Sequence, residues 1–250
     1  MPRLSVNVNK VATIRNSRGG PVPSVTEAVR VCVAAGAPGI TVHPRADGRH
    51  ITLADVREVA AELAPLTGRV EYNIEGDPRE DLMTLVCEVR ADQATLVPVM
   101  PGERTSQAGW RLDTPQAHLR RVIDRLHEAG VRVSLFVDPE PPAIDWAASL
   151  GADRVELYTE PYARAFEQGD PARAAALARY TGAATHAHAR GLGVNAGHDL
   201  DLENLPLFTT VPHVLEVSIG HALISRALFT GLDRAVREYI DAAAGPDPAG

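Results

Sequence analysis

The stretch "GITVHPRADGRHI" (residues 39–51) decides how this chain reads. Ile40, Thr41 and Val42 have the β-branched bulk of a buried strand. The run stops at His43, and Arg45, Arg49 and His50 crowd around Gly48. Stability alone does not call for two histidines and two arginines behind a buried strand. The pattern recurs. Strand-length runs stand at "LSVNVN" (4–9), "VEYNIEG" (70–76), "QATLVPV" (93–99), "RVSLFVD" (132–138), "RVELYT" (154–159), "GLGVNAG" (191–197) and "VLEVSIG" (214–220). Between them lie segments of helical period, such as "TLADVREVAAELAPL" and "TPQAHLRRVIDRLHEAG". Several open on a Ser, Thr or Asp suited to an N-cap, and several close on Gly. Eight strand–helix alternations in 250 residues predict an α/β chain, a (β/α)8 TIM barrel of parallel strands with extra helices. A doubly wound open sheet is the alternative. It is disfavoured because no G-x-G-x-x-G follows the first strand. Runs this apolar suit strands covered on both faces. One barrel domain is expected over 1–243, with the Pro/Gly-rich 244–250 as a flexible tail.

Composition narrows the function classes. Hydrophobic residues make up 45% and aromatics 4%, so the core is built from Val, Leu, Ala and Ile. A net charge of −7 argues against a nucleic-acid partner. No apolar run is long enough to span a bilayer, and the N-terminus lacks the h-region of a signal peptide. Cys32 and Cys87 are not motif-spaced and read as reduced core residues of a cytoplasmic protein. Of 25 basic residues one is a lysine, Lys10.

In a barrel, the C-terminal ends of the strands share one rim, where active sites are built. The strand ends here bring Asn7, Asn9 and Lys10; His43 and Arg45; Asn73 and Glu75; Asp138; Glu156; Asn195, His198 and Asp199; then Ser218, Gly220 and His221. The fourth strand leads to Thr105. Long connections at 10–23, 100–113 and 160–171 are candidate lids. Glu75 leaves the strand next to His43 at the matching level, so the two side chains can meet and divide protons. For Glu75 a salt bridge to Arg45 and a general base with a raised pKa both stay open. For Glu156 a buried ion pair within a barrel of Val and Leu stays open. "VNAGHD" (194–199) and "VSIGHALIS" (217–225) each read strand, Gly, His, helix start. Such turns are either ordinary βα connections or phosphate cradles of backbone N–H groups. Arg18, Arg45, Arg49 and His50 form a cationic rim, either solvated or aimed at phosphorylated substrates. No zinc-protease pattern supports a metal site, and none is expected.

These residues resemble a known family, the pyridoxine 5′-phosphate synthases of vitamin B6 biosynthesis. The likeness runs in order through "LSVNVNKVATIRNSRGG", "GITVHPRADGRHI", "YNIEG", "TLVPV", "TSQAGW", "RVELYTEPYA", "GLGVNAGHDL" and "EVSIGHALISRAL", nearly the whole chain. It implies a TIM barrel that assembles as a homo-octamer. It implies condensation of 3-amino-2-oxopropyl phosphate with 1-deoxy-D-xylulose 5-phosphate, giving pyridoxine 5′-phosphate, phosphate and water without a cofactor. Carried over by position, His43 and Glu75 are proton acceptors, His198 is the proton donor and Glu156 stabilises a transition state. Asn7, Asp199, Gly220 and His221 would hold the aminoketone phosphate. Arg45, His50 and Thr105, with Arg18 nearby, would hold the deoxyxylulose phosphate. Many members read Asn-x-Asp-His where this chain has Asn7-Val8-Asn9-Lys10, and another branch shares the Asn-Lys form. The swap bears on the substrate contacts of Asn9 and Lys10. Three rivals remain: an aldolase-like barrel forming a Schiff base on Lys10 with a phosphosugar, a metal enzyme using His43, Glu75 and His198, and a barrel that binds a phosphorylated metabolite without turnover.

Overall fold

The eight runs become eight strands: β1 (Arg3–Asn7), β2 (Gly39–Val42), β3 (Glu71–Gly76), β4 (Gln93–Leu96), β5 (Arg132–Val137), β6 (Arg154–Tyr158), β7 (Gly193–Gly197) and β8 (Val214–Ile219). They pair in parallel in chain order, and β8 closes on β1, in a computed structural model that describes residues 1–98 and 108–245. The helices outside this barrel are α1 (Asn9–Asn16), α2 (Val25–Ala34), α3 (Leu53–Leu63), α4 (Glu80–Val89), α5 (Gln116–Glu128), α6 (Pro141–Leu150), α7 (Glu160–Gln168), α8 (Ala172–Ala189), α9 (Leu205–Phe208), α10 (His221–Thr230) and α11 (Leu232–Ala243). Caps fix several starts. Ser24 accepts from the Glu27 N–H at the head of α2, and Thr52 with Asp55 forms a capping box on α3.

The strands are covered on both faces, as expected. The two faces differ in chemistry. Leu4, Val6, Ile40, Val42, Ile74, Leu135, Val155 and Leu157 belong to the apolar core. The alternate residues turn inward and are mostly polar, with Phe136 and Tyr158 forming a small aromatic cluster near the rim. Ser5 bonds Thr41 across β1 and β2 (2.6 Å), Thr95 donates to Asn73 (3.0 Å), and Asn195 on β7 reaches Gln93 on β4 (3.4 Å). At the N-terminal end Arg132 pairs with Glu71, and Arg154 donates to Asn195 (3.1 Å). A buried polar layer is tolerable because its members bond one another. Glu156 therefore stands in a polar interior, not in a barrel of Val and Leu. Asn73 and Asn195, expected at the rim, lie in this layer below it.

Two of the expected long loops are partly helical. Residues 10–23 contain most of α1, so Asn9 and Lys10 start a helix rather than end a strand. Residues 160–171 contain α7, with Pro161 in its first turn and Tyr162 packed on Phe166. Most of the third connection, Thr105 included, lies outside the described residues. Its described end is fixed: Gly109 donates to the Asp138 carboxylate (3.2 Å), and Trp110 Nε1 donates to the Leu96 carbonyl (2.8 Å). Of the expected tail, 246–250 also lie outside the described residues. Among the described residues no helix is long and apolar enough to cross a membrane.

Candidate active site

The C-terminal rim surrounds a cavity of about 460 Å³. Asn7, Asn9, Lys10, His43, Arg45, His50, Glu75, Glu156, His198, Asp199, Gly220 and His221 all line it. Parity explains part of this convergence. Asn7, Glu75 and Glu156 are inward positions near the ends of β1, β3 and β6, and His43 continues the inward parity of β2.

His43 Nδ1 lies 3.6 Å from Glu75 Oε2. Asn7 Nδ2 donates to the same Oε2, and Ser218 Oγ donates to Oε1, both at 3.4 Å. Glu75 is thus held by neutral donors and a histidine, and among the described residues no arginine pairs with it. Burial pushes its carboxyl up to about 7, with the Ser218 hydrogen bond pulling the other way. Burial drives His43 well below 6.5, helped by the positive surroundings of His50 and Arg45. The pair is therefore a neutral imidazole beside a carboxyl that exchanges its proton near neutrality. His43 Nε2 has no partner among the described residues.

Glu156 is 1% exposed and its Oε2 has no partner among the described residues. Burial raises its pKa well above 4.5, and the Glu75 and Glu216 carboxylates raise it further. Of the two readings left open, the buried ion pair is not what the geometry provides. Space for this carboxyl comes from Gly197, where a Cβ would fall 2.5 Å from Glu156 Oε1. Gly220 plays a like part beside Asn7, whose Cβ would stand 3.0 Å from one added there.

The two Gly-His turns differ. Gly220 is the N-cap of α10 and His221 its first residue, with no side chain capping the end. The first N–H groups of α10 therefore face the cavity at Gly220, His221 and Ala222, an anion cradle aided by the helix dipole. Gly197-His198 opens no helix. His198 and Asp199 both lie at positive φ, 80° and 55°, and α9 begins only at Leu205. That backbone costs a non-glycine residue roughly 1–2 kcal/mol. His198 packs against both Phe136 and Tyr158, with ring centroids 5.1 and 5.6 Å away, and burial lowers its pKa.

The cationic side is built by α1 and the loop after β2. Asn9 Oδ1 accepts from the His43 backbone N–H (2.8 Å), tying the two together. His50 Nδ1 accepts from the Ile51 N–H (2.9 Å), which leaves Nε2 as the nitrogen that carries the proton in the neutral ring. Burial, then Arg45 and Lys10, pull His50 down to about 4. Asn16 and Arg15 donate to the His50 carbonyl, and Arg15 pairs with Asp55. Arg18 is exposed and does not line the cavity. Thr13 does line it and was missed from sequence. It lies one turn beyond Asn9, and that face was invisible while 10–23 read as a loop. Among the described residues no cluster of three or more metal-ligating side chains occurs.

The family model described as "Pyridoxal phosphate biosynthesis protein PdxJ" matches residues 4–244. The chain is 49% identical to the pyridoxine 5′-phosphate synthase of Porphyromonas gingivalis, covering 96% of this chain and 98% of that one. It is 53% identical to the pyridoxine 5′-phosphate synthase of Xanthomonas axonopodis pv. citri, covering 96% and 95%. Among solved structures, phosphoribosyl anthranilate isomerase from Thermotoga maritima superposes with a TM-score of 0.60 at 14% identity, covering 98% of this chain and 100% of that one. The YdjI aldolase of Escherichia coli K12 gives 0.58 at 10%, covering 97% and 89%. These two show the barrel fold alone. Motifs in order, a closed eight-stranded barrel and relatives near half identity along the whole length agree: the chain belongs to the PdxJ family.

Proposed function

We propose that this protein is a pyridoxine 5′-phosphate synthase. It joins 3-amino-2-oxopropyl phosphate to 1-deoxy-D-xylulose 5-phosphate and releases phosphate and water. The observation that carries the reading is the His43–Glu75 pair, 3.6 Å apart and buried, in a cavity with an anion cradle on one side and cationic side chains on the other.

The chemistry needs an amine to add to a ketone, water and phosphate to leave, and carbon-bound protons to move before the ring becomes aromatic. One acid–base group serves all of these poorly. Glu75, poised near 7, takes protons in its ionised form, and neutral His43 accepts others. His198 donates. Its lowered pKa makes the protonated ring a strong acid, so a captured proton is soon passed on. Burial favours the protonated form of Glu156, and that neutral acid meets developing negative charge. Gly220, His221, Asn7 and Asp199 receive the aminoketone phosphate, with the N-terminus of α10 as the charge partner. Arg45 and neutral His50 receive the other phosphate, and Lys10 adds a third donor. The proposal extends to a cytoplasmic homo-oligomer, an octamer by family likeness. Phe229, 89% exposed beside Leu228 at 68%, supports association.

The test mixes purified protein with both substrates in EDTA and follows pyridoxine 5′-phosphate and phosphate together. Equal amounts of the two products are expected. Folded protein that yields neither refutes the reading.

A further inference from the structure

Nothing in the reaction assigned above uses Thr159, yet the residue is fully buried directly beneath the most strained backbone of the site. Its hydroxyl donates to the Gly197 carbonyl (2.6 Å) and also contacts the His198 carbonyl. Its backbone N–H donates separately to Gly197 (3.1 Å) and carries on the β6–β7 pairing. One side chain thus spans two successive carbonyls of the turn in which His198 and Asp199 hold positive φ. Farther on, Asn204 Nδ2 holds the Asp199 carbonyl (3.1 Å). Nothing else among the described residues bonds the His198 carbonyl through a side chain. The imidazole itself packs on the rings of Phe136 and Tyr158 and bonds to the backbone of Gly197, one of the two residues whose carbonyls Thr159 holds. Apolar walls limit where the ring lies but do not fix its rotation or its height above the cavity. The backbone below must do that.

We propose that Thr159 is a positioning residue for His198. By holding the carbonyls on either side of the His198 α-carbon, it keeps the turn left-handed and the imidazole seated at the cavity against Phe136 and Tyr158. Losing the hydroxyl lets the turn relax toward ordinary φ and carries the ring off its perch. A methyl group in its place cannot bond either carbonyl, whereas a serine hydroxyl can share its one proton between them as threonine does. The inference rests on the reaction proposed above, in which His198 moves a proton.

The test compares Thr159→Val, which keeps shape and the backbone pairing, with Thr159→Ser, which keeps the hydroxyl. Two readouts are taken. The first is turnover. Thr159→Val is expected to cut kcat about tenfold, as misplacement of a reacting group does, with KM for both substrates within about twofold. Thr159→Ser is expected to stay within about twofold of the parent in kcat. The second is the titration of the His198 ring by nitrogen–proton NMR in the resting protein, which needs no turnover. The groups that face this ring are Asp199 on its own turn, Tyr158 from β6, and His43 across the cavity. Asp199 stays in both variants. Freed from burial, the ring is expected to titrate nearer 6.5 in Thr159→Val and unchanged in Thr159→Ser. If Thr159→Val does not fold, Thr159→Ala carries the same expectations. A folded hydroxyl-free variant with unchanged kcat and unchanged His198 titration overturns the proposal, as does a serine variant as impaired as valine. If the parent protein makes no product, the assigned reaction has failed, and the NMR comparison still decides whether Thr159 positions His198.

Discussion

Glu75→Gln separates function from stability, because the carboxyl that gives Glu75 its role is costly to bury. In the unfolded chain Glu75 ionises near 4.5, whereas in the fold it keeps its proton up to about 7. Between those values the folded state holds a proton that the unfolded state has released. Stability therefore falls as pH rises through this window, and the loss is complete above pH 7. At about 1.4 kcal/mol per pH unit, the carboxyl costs about 3 kcal/mol by pH 8. Glutamine cannot ionise and escapes that cost. Its carbonyl oxygen can still accept from Asn7 or Ser218, but its amide opposes the other donor, a loss of roughly 1 kcal/mol at every pH. Glu75→Gln is thus expected to be slightly less stable than the parent at pH 4.5 and about 2 kcal/mol more stable at pH 8. In a chain of this size that is a Tm gain of roughly 4–8 °C. The assay is thermal unfolding by circular dichroism across pH 4.5 to 8 at fixed ionic strength, with turnover measured on the same samples. Activity should be nearly abolished while stability at pH 8 rises. Parallel Tm–pH curves for the two proteins would refute the reasoning, because Glu75 would then be ionised in the fold without penalty.

Three further outcomes follow from the same geometry. Gly197→Ala places a methyl group 2.5 Å from Glu156 Oε1; kcat should fall at least about tenfold, and a near-normal rate would show that Glu156 can move without consequence. Lys10→Met should raise KM for deoxyxylulose phosphate about tenfold, roughly the worth of one charged hydrogen bond, with kcat little changed, and borohydride with substrate should leave no adduct on Lys10 in the parent. A trapped Lys10 adduct would instead favour the Schiff-base reading. Thr52→Ala breaks the capping box of α3 and should cost about 1 kcal/mol, read as a lower Tm with kcat preserved; a large fall in kcat would mean that the capping box governs the His50 loop.

The Asn9–Lys10 form at the start of α1 is intelligible in this geometry. Asn9 acts through Oδ1, which accepts from the His43 N–H. An aspartate at that position would accept equally well. Lys10 lines the cavity on the cationic side, close enough to depress His50.

The sequence by itself determined the barrel and most of its rim. Eight alternations of strand and helix leave few topologies, and a parallel barrel then forces every strand end to one face. Once that is accepted, His43, Glu75 and Glu156 converge by parity, and His198 and the Gly220–His221 turn reach the same rim because they follow the ends of β7 and β8. Tertiary structure decided three things that no local pattern carries. It showed that 10–16 and 160–168 are helical, since short helices take their stability from packing rather than propensity. It showed that the inward faces are polar, because Thr41, Asn73 and Thr95 satisfy one another only when distant strands meet. And it distinguished the two Gly-His turns, near-identical in sequence. The first is held at positive φ by Thr159, a residue nearly forty positions away, and the second opens a helix onto the cavity.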